Sequence, residues 1–330
     1  MKKYKYEYIW LDGYKPEPNL RSKTKILEKI MPFSSLPEWS FDGSSTMQAK
    51  GKKSDCILKP VTMVSDPGRK NAFLVLCEVL NPDGSPHETN TRNSLTDDTN
   101  NWWGFEQEYV LSKCGVPIGF TAGQKPQGKY YCGIGSENVA GRDLVEKHLD
   151  LCLEAGLNIT GINAEVLIGQ WEFQIFGTGV YAADQLWLAR YLLNRTAEEF
   201  GLQVDYRPKP LKGDWNGSGL HTNFSTKEMR ESKDWLVFER IFEAFSFRVR
   251  NHIAAYGSDN EQRLTGLHET QHIDKFTWGI SDRGASIRIP QPTFNDHCGY
   301  LEDRRPAANA DPYRIMEQIQ ISINTSKNLE

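Results

Sequence analysis

Two glutamates lie inside one of the most apolar stretches of the chain, GINAEVLIGQWEFQIF at 161–176. Carboxylates rarely occur in a protein core unless they are paired or bound to a metal. Glu165 and Glu172 are seven positions apart, so one continuous strand would place them on opposite faces. Gly169 offers a turn, and a hairpin would bring both side chains to the same side. Two unrelated surface glutamates are the alternative interpretation.

A second pair of carboxylates occurs in the segment GFEQEYVL. Glu106 and Glu108 are two positions apart, so a strand would point both to one face, with Phe105 and Tyr109 on the other. Two parallel carboxylates roughly 7 Å apart repel each other unless a cation lies between them. The pattern therefore predicts a cation site, with a solvated strand face as the alternative.

The segment GSGLHTNFST alternates in the same way. His221, Asn223 and Ser225 share a face; histidine is a metal ligand, and asparagine suits a phosphate or ribose contact. A hydrogen-bonded core histidine is the alternative interpretation. The glycine-rich loop 216–219 precedes this strand, and its backbone could approach a ligand closely.

Arginines are concentrated further along the chain, in SDRGASIRIP and YLEDRRPAANADPY. Their planar side chains suit phosphate and carboxylate oxygens, although surface salt bridges would also explain them. Five carboxylates, one histidine and several arginines on strand faces fit two or three divalent cations with open positions for a triphosphate. The sequence contains no GxxxxGK[ST], so metals and arginines would have to hold the phosphates.

These strands need a scaffold, and the chain divides into two parts. Residues 1–84 are rich in strand patterns, such as YKYEYIWLDGY and NAFLVLCEVL, and a polar stretch of turn residues follows. We therefore predict domains at 1–84 and 85–330, with the boundary near Gly84. Helical patterns occupy 142–155, 181–200 and 235–256, and a fourth helix is predicted to begin at Asp311-Pro312.

Composition excludes several classes of protein. The chain has 330 residues and a net charge of −4, which gives no global attraction to nucleic acid or to an anionic membrane. Six scattered cysteines without a CxxC pair favour reduced thiols over disulfides or a zinc site. The first residues, MKKYKYEYIW, lack an apolar signal core. We therefore expect a cytoplasmic protein.

Seven segments in order resemble the glutamine synthetase family, specifically its shorter, eukaryotic-like type II members. They are WSFDGSST (39–46), GFEQEY (104–109), NAEVLIGQWEFQ (163–174), NGSGLHTNFST (216–226), RLTGLHET (263–270), RGASIRIP (283–290) and EDRRPAANADPY (302–313). The resemblance implies an α+β fold: an N-terminal β-grasp-like domain, and a catalytic domain whose curved antiparallel sheet forms a funnel flanked by helices. It also implies the ATP-dependent ligation of ammonia to the γ-carboxylate of L-glutamate through a γ-glutamyl phosphate.

The same resemblance implies cofactors and partners. It points to two or three Mg²⁺ or Mn²⁺ ions per site, with ATP, glutamate and ammonium as small-molecule substrates. It also points to a homo-oligomer, a decamer of two stacked pentameric rings, in which each active site lies between adjacent subunits. Neither nucleic acid nor a membrane is an expected partner.

Individual roles follow from the resemblance, residue by residue. Ligands of the first metal would be Glu108, Glu165 and Glu172, and those of the second Glu106, His221 and Glu302. Glutamate would bind at Asn216, Gly217, Arg263, Arg283 and Arg304. The nucleotide would contact Phe173, Gln174, Ile175, Phe176, Gly177, Asn223, Phe224, Ser225, Arg288 and Tyr300. Catalytic roles would fall to Asp42, which a neighbouring subunit supplies at the ammonium site, to Glu269 on the flap, and to Arg283 and Arg288 at the phosphate.

The chain differs from the family's usual sequence at two places, and two other functions are alternatives to the one that the resemblance implies. Gln291 follows RIP where the family often has arginine, and the loop YGSDNEQ before RLTG is short. A ligase for another amine, or a related phosphotransferase, would keep the fold and change the acceptor. A regulatory member without activity would be expected to lose ligands, yet all six metal positions hold usable residues.

Overall fold

A computed structural model of the chain describes residues 2–121 and 123–329. Its N-terminal part forms a sheet of five strands in the order β2-β1-β5-β4-β3. These strands are β1 (Tyr4–Leu11), β2 (Leu20–Leu27), β3 (Trp39–Asp42), β4 (Asp55–Ser65) and β5 (Ala72–Leu80). The central pair β1 and β5 is parallel, and the other pairs are antiparallel. One face of this sheet buries its own aromatic core, which includes Tyr6, Tyr8 and Trp10.

A second, strongly curled sheet of nine strands follows. It contains β6 (Trp102–Lys113), β7 (Val116–Pro117), β8 (Ile159–Ala164), β9 (Gln170–Thr178), β10 (Gln203–Asp205), β11 (Leu220–Ser225), β12 (Trp278–Ile280), β13 (Ile287–Ile289) and β14 (Leu301–Asp303). The main order is β12-β13-β14-β11-β6-β9-β8, and β7 and β10 pair with β6. All pairs are antiparallel except β12 with β13. The α+β architecture predicted from the resemblance is confirmed.

Helices cover the outer side of this sheet. They are α1 (Arg142–Glu154), α2 (Tyr181–Glu199), α3 (Lys227–Glu231), α4 (Leu236–Phe247), α5 (Val249–Ala255), α6 (Gln291–Asp296) and α7 (Pro312–Ser326). The helix α2 is buried along most of its length and packs on α1 and β9. Its burial explains why its apolar residues extend beyond one narrow stripe.

The prediction of one helix over 235–256 is wrong, because the chain breaks at Arg248 into α4 and α5. The break has a packing reason. It lets Arg248 donate a hydrogen bond to Gln318 at 2.9 Å, and it brings the buried His252 to Ser322 at 2.7 Å. Both partners lie on α7, so the kink lets α5 follow that helix. The other three predicted helices are confirmed to within a residue or two at their ends.

The N-terminal sheet meets the helices of the larger part at a buried carboxylate on α2. Asp184 accepts two hydrogen bonds from Arg92, at 2.9 and 3.0 Å. It also accepts one from Thr62 of β4 and one from Tyr313 of α7, at 2.8 and 2.7 Å. A buried charge with four donors is stabilising where an unpaired one would be costly. This contact fixes the N-terminal sheet against the helices of the larger part. Within the described residues, none of the helices is both long and apolar enough to cross a bilayer.

Candidate active site

The opening stretch is a hairpin. Strands β8 and β9 pair antiparallel, with Asn163 opposite Glu172, and the intervening turn begins at Glu165. The backbone N–H of Glu165 donates to the carbonyl of Gln170 at 2.9 Å and closes the turn. Gly169 has φ +78°, and a Cβ there would lie 2.7 Å from the carbonyl oxygen of Ile118. The turn predicted at Gly169 is therefore confirmed, and Glu165 and Glu172 line one cavity.

Strand β6 supplies the other pair of carboxylates. Glu108 lies directly opposite Glu172 on β9, and Glu106 lies opposite His221 on β11. Both β6 glutamates line the same cavity, while Phe105 on the other face is buried in the core. The alternation in the sequence thus correctly predicts that Glu106 and Glu108 share one face of β6. The alternative, that this face is fully solvated, is excluded.

The cavity has a volume of about 510 Å³ and collects most of the predicted polar residues. Those that line it are Glu106, Glu108, Glu165, Glu172, Gln174, Asn216, Gly217, His221, Arg263, Glu269, Arg283, Arg288, Glu302 and Arg304. They come from β6, β9, β11, β13 and β14 and from the loops between them. The curled sheet therefore brings together residues nearly two hundred positions apart in the chain.

Three of these side chains form a compact group. One ligand atom each of Glu106, His221 and Glu302 lies within 4.8 Å of the others. The Nδ1 atom of His221 is 3.5 Å from Oε2 of Glu106 and 3.7 Å from Oε1 of Glu302. Two carboxylates and an imidazole at these separations suit a hard or borderline divalent cation such as Mg²⁺ or Mn²⁺.

Arginines surround this group at hydrogen-bonding distance. Glu302, which is 1% exposed, accepts from Arg288 at 2.7 Å and from Arg304 at 2.6 Å. Arg263 donates to Nε2 of His221 at 2.8 Å and to the carbonyl of Arg304 at 3.0 Å. Arg283 is exposed, and its carbonyl accepts from Nε of Arg304 at 3.0 Å. The cavity thus presents acidic and basic walls side by side.

Burial makes the acidic wall costly to ionise. Desolvation raises the pKa of Glu108 to about 7, against the opposing influence of Arg263 and the Gly219 N–H. Desolvation, together with the charges of Glu106 and Glu108, raises the pKa of Glu172 to about 8. Burial and the charges of Glu108 and Glu172 raise the pKa of Glu165 well above its ordinary range. A divalent cation would offset this repulsion, so the donor set fits the metals that the resemblance implies.

The glycine-rich loop 216–219 is shaped by close contacts. The N–H of Gly219 donates to Oε2 of Glu108 at 3.0 Å. A Cβ at Gly219 would lie 2.5 Å from Nη2 of Arg263 and 2.8 Å from Nε2 of His221. A Cβ at Gly217 would lie 2.4 Å from the carbonyl oxygen of Pro208. Only glycine allows the backbone to pass this close to the charged residues.

A second, more apolar pocket of about 320 Å³ opens beside the first and shares Glu106 and Gln174 with it. Most of the residues predicted to contact a nucleotide line it, namely Gln174, Ile175, Phe176, Asn223, Phe224, Ser225 and Tyr300. Trp102, which was not predicted from the sequence, adds an aromatic wall, with its ring perpendicular to that of Phe176 at 5.7 Å. An apolar, partly aromatic pocket next to an acidic cavity suits a base joined to phosphates.

Three predicted residues lie outside the two pockets. The side chain of Phe173 is on the opposite face of β9, where it packs against Tyr109 and His148. Gly177 lies against Ala182 and Gln185 of α2. Asp42 is exposed at the end of β3, where its carboxylate accepts from the hydroxyls of Ser44 and Ser45 at 2.6 and 2.7 Å. These hydrogen bonds lower the pKa of Asp42.

Several supporting residues were assigned no role from the sequence. Gln170 donates to Oε2 of Glu108 at 3.1 Å and to the carbonyl of Gly217 at 3.0 Å. Asn163 donates to Oε1 of Glu165 at 2.8 Å. The alternation of β9 was a signal for Gln170, because it shares a face with Glu172, but nothing in the spacing predicted its partners. Gln127, Tyr131 and His268 also line the cavity.

Two family models match most of the chain, and individual relatives match nearly all of it. A family model described as the β-grasp domain of glutamine synthetase matches residues 2–82, and one described as its catalytic domain matches residues 88–254. A glutamine synthetase from Bradyrhizobium diazoefficiens is 54% identical over 335 residues, which cover 98% of this chain and 97% of that protein. One from Rhizobium meliloti is 52% identical, covering 96% and 99%.

A eukaryotic relative is almost as similar. A glutamine synthetase from the yeast Candida glabrata is 49% identical over 94% of this chain and 86% of that protein. Such identity over almost the full length of bacterial and fungal relatives confirms the resemblance to the eukaryotic-like type. The chain therefore belongs to the glutamine synthetase family and is an enzyme of that family, a glutamate–ammonia ligase.

Proposed function

We propose that the 510 Å³ cavity is the ligation site and that its six predicted ligands hold divalent cations. The reaction is the ATP-dependent ligation of ammonia to the γ-carboxylate of L-glutamate through γ-glutamyl phosphate, which gives glutamine, ADP and phosphate. One observation carries the assignment of the site. Four glutamates with a histidine and Glu302 line one cavity, and burial raises the pKa of three of them.

The ligands divide into two groups. Glu108, Glu165 and Glu172 form the buried group of carboxyls with raised pKa, which we assign to the first metal on the glutamate side. Glu106, His221 and Glu302 form the compact group, which we assign to the second metal between the phosphates. Mg²⁺ or Mn²⁺ in these positions would neutralise phosphate oxygens and leave the γ-phosphorus open to attack.

The arginines bind and orient the two anionic substrates. We assign Arg263, Arg283 and Arg304, with Asn216 and Gly217, to glutamate, because their side chains and backbone face the acidic cavity. Arg288 and Arg283 would stabilise the charge that develops on the transferred phosphoryl group. Arg288 donates to Oε2 of Glu302 at 2.7 Å. Binding of a cation at Glu302 would free that arginine for the phosphate.

The apolar pocket orients the nucleotide. Its aromatic and amide side chains would bind the base and ribose, so that the triphosphate points into the acidic cavity. Arg230 lies 4.0 Å from the ring of Trp102 and donates to the carbonyl of Ser225, which stiffens this wall. We retain the backbone of 173–177 as a contact, although the side chain of Phe173 points into the core.

The remaining substrate is ammonium, which must lose a proton before it can react. The residues assigned so far include no base that would take this proton. We assign ammonium binding and proton removal to Asp42 of an adjacent subunit, since this carboxylate is exposed at the end of an edge strand and its lowered pKa keeps it ionised for a cation. Glu269 at the cavity rim would help to bind ammonium and exclude water, which would otherwise hydrolyse the acyl phosphate. This assignment requires the predicted homo-oligomer, a decamer of two pentameric rings.

Two broader assignments complete the proposal. We divide the chain into domains at 1–84 and 85–330, which is supported by the separate sheets on either side of this boundary. We also propose a cytoplasmic location, which suits the six free cysteines.

A product assay tests the acceptor and the reaction together. The protein is incubated with glutamate, ATP and Mg²⁺, and either ammonium, methylamine or a larger amine is added. The proposal predicts a γ-amide product that is formed fastest with ammonium, together with an equal amount of phosphate. Phosphate release without a new amide would contradict it, and preference for a bulky amine would instead support a γ-glutamyl ligase for another amine.

A further inference from the structure

A buried cation stands directly behind the ligand strand. Arg190 of α2 is 3% exposed and points towards β6 from the side opposite the cavity. Its Nε donates to Oε1 of Gln107 at 2.7 Å. Its Nη2 donates to the carbonyl oxygens of Ala308 at 2.9 Å and Ala310 at 3.1 Å. One guanidinium therefore joins a helix, a strand and a loop.

The surroundings of Arg190 are unusual for a buried charge. Among the described residues, no carboxylate forms a salt bridge with it. Its guanidinium lies instead against the rings of Trp187 and Tyr206, at 4.6 and 5.4 Å. Burying a cation without a carboxylate partner is costly, so its hydrogen bonds to three acceptors must compensate for the lost water. Lysine has no planar fork and could not reach these acceptors in the same way.

Gln107 transmits this contact to the metal ligands. It is fully buried between Glu106 and Glu108 in sequence, with its side chain on the opposite face of β6. Its Nε2 donates to the backbone carbonyl of Glu108 at 2.8 Å and to that of Ala308 at 3.0 Å. The amide thus accepts a hydrogen bond from Arg190 and donates to two backbone carbonyls. It fixes the β6 backbone from which Glu106 and Glu108 project.

The loop at Ala308 reaches the cavity by a second route. The N–H of Ala308 donates to the carbonyl of Ser218 at 3.0 Å, and Ala307 pairs with Gly219. Gly219 in turn donates to Oε2 of Glu108 at 3.0 Å. The same loop follows β14, which carries Glu302. The contacts of Arg190 therefore converge on ligands of both assigned metals.

We propose that Arg190 is a positioning residue that, through Gln107 and Ala308, sets the spacing of the metal ligands on β6 and β14. The inference rests on the proposed function, because it requires the acidic cavity to bind divalent cations. Supporting residues behind a metal site affect affinity strongly, and their loss typically weakens metal binding about 10- to 100-fold. We therefore expect Arg190 to control metal affinity beyond its effect on stability.

Mn²⁺ binding to the metal-depleted oligomer tests this role without any need for turnover. Calorimetric titration with Mn²⁺ alone should give a dissociation constant about 10-fold higher for Arg190→Met than for the wild type. Arg190→Lys, which keeps the charge, should recover only part of that loss. Gln107→Leu should weaken binding by itself and add little in the Arg190→Met background, because the two residues act through one contact.

The control is Leu193→Ala on the same helix. Leu193 is fully buried in the apolar core, so the variant should melt earlier while its Mn²⁺ affinity stays within about twofold of the wild type. An affinity of Arg190→Met within twofold of the wild type would overturn the inference, as would an equal loss in Leu193→Ala. If Arg190→Met fails to assemble, Gln107→Leu carries the same test. Absence of Mn²⁺ binding in the wild type would instead refute the proposed function.

Discussion

At the scale of single residues, the protein places acidic groups where their ionisation is least favourable. Glu108, Glu165 and Glu172 are buried, and the charge of Glu108 adds to desolvation in raising the pKa of the other two. Among the described residues, no salt bridge neutralises Glu165 or Glu172. Glu302 differs, because two arginines already neutralise it. The site is therefore prepared to take up cations in exchange for protons and arginine contacts.

This exchange predicts that metal affinity rises with pH. Ligands must be deprotonated, and burial raises the pKa of Glu108 to about 7 and that of Glu172 to about 8. Mn²⁺ should therefore bind about tenfold or more tightly at pH 8 than at pH 6, with net release of protons. Titration in buffers of different ionisation enthalpy measures both quantities. Glu154→Gln, at an exposed carboxylate, should leave the dependence unchanged, whereas a flat profile in the wild type would contradict the assigned burial.

The stability of the fold should also depend on pH through the raised pKa values of these carboxyl groups. A carboxyl group whose pKa is raised by folding contributes stability below its unfolded pKa and loses it as pH rises through the folded value. The metal-free protein should therefore melt at lower temperature as pH rises from 6 to 8.5, and added Mn²⁺ should raise the melting temperature most at the upper end. A metal-free melting temperature that increases over this interval would contradict this expectation.

At the scale of elements, much of the site could be predicted because strand geometry is local. The alternation of GFEQEYVL and the turn at Gly169 follow from side-chain period and glycine alone, and both are confirmed. The hydrogen-bond partners of the site residues could not be predicted in this way. The bonds from Arg288 and Arg304 to Glu302 and from Gln170 to Glu108 depend on how distant segments meet, which no spacing within one strand encodes. The break at Arg248 was missed for the same reason, since its cause lies on α7.

The loop that carries Gly219 gives the sharpest prediction at this scale. In Gly219→Ala the new Cβ would meet Arg263 and His221 at 2.5 and 2.8 Å, and both are pinned by hydrogen bonds. Displacement of a metal ligand by a fraction of an ångström to one ångström should lower kcat/KM about 100-fold. Steady-state kinetics measure this. Gly123→Ala, where a Cβ would meet nothing within 4 Å, should behave as the wild type. Normal kinetics in Gly219→Ala would show that the loop tolerates a side chain.

At the scale of the whole molecule, the fold separates two tasks. The curled sheet of the larger part collects the charged residues, while the N-terminal sheet carries Asp42 on an exposed edge away from the cavity of its own chain. The buried Asp184 holds the two parts together through Arg92, Thr62 and Tyr313. Family resemblance predicted this division of labour, whereas periodicity alone gave only the strand-rich N-terminal region. The curvature of a sheet depends on the packing of all its strands, so no single pattern in the sequence reports it.

The central claim is that six side chains of one cavity hold divalent cations. Anomalous X-ray scattering from crystals grown with Mn²⁺ tests it most directly, because the signal locates the ions themselves. We predict one peak among Glu108, Glu165 and Glu172, and a second among Glu106, His221 and Glu302. No anomalous peak within bonding distance of these carboxylates, or peaks only at other positions, would contradict the account.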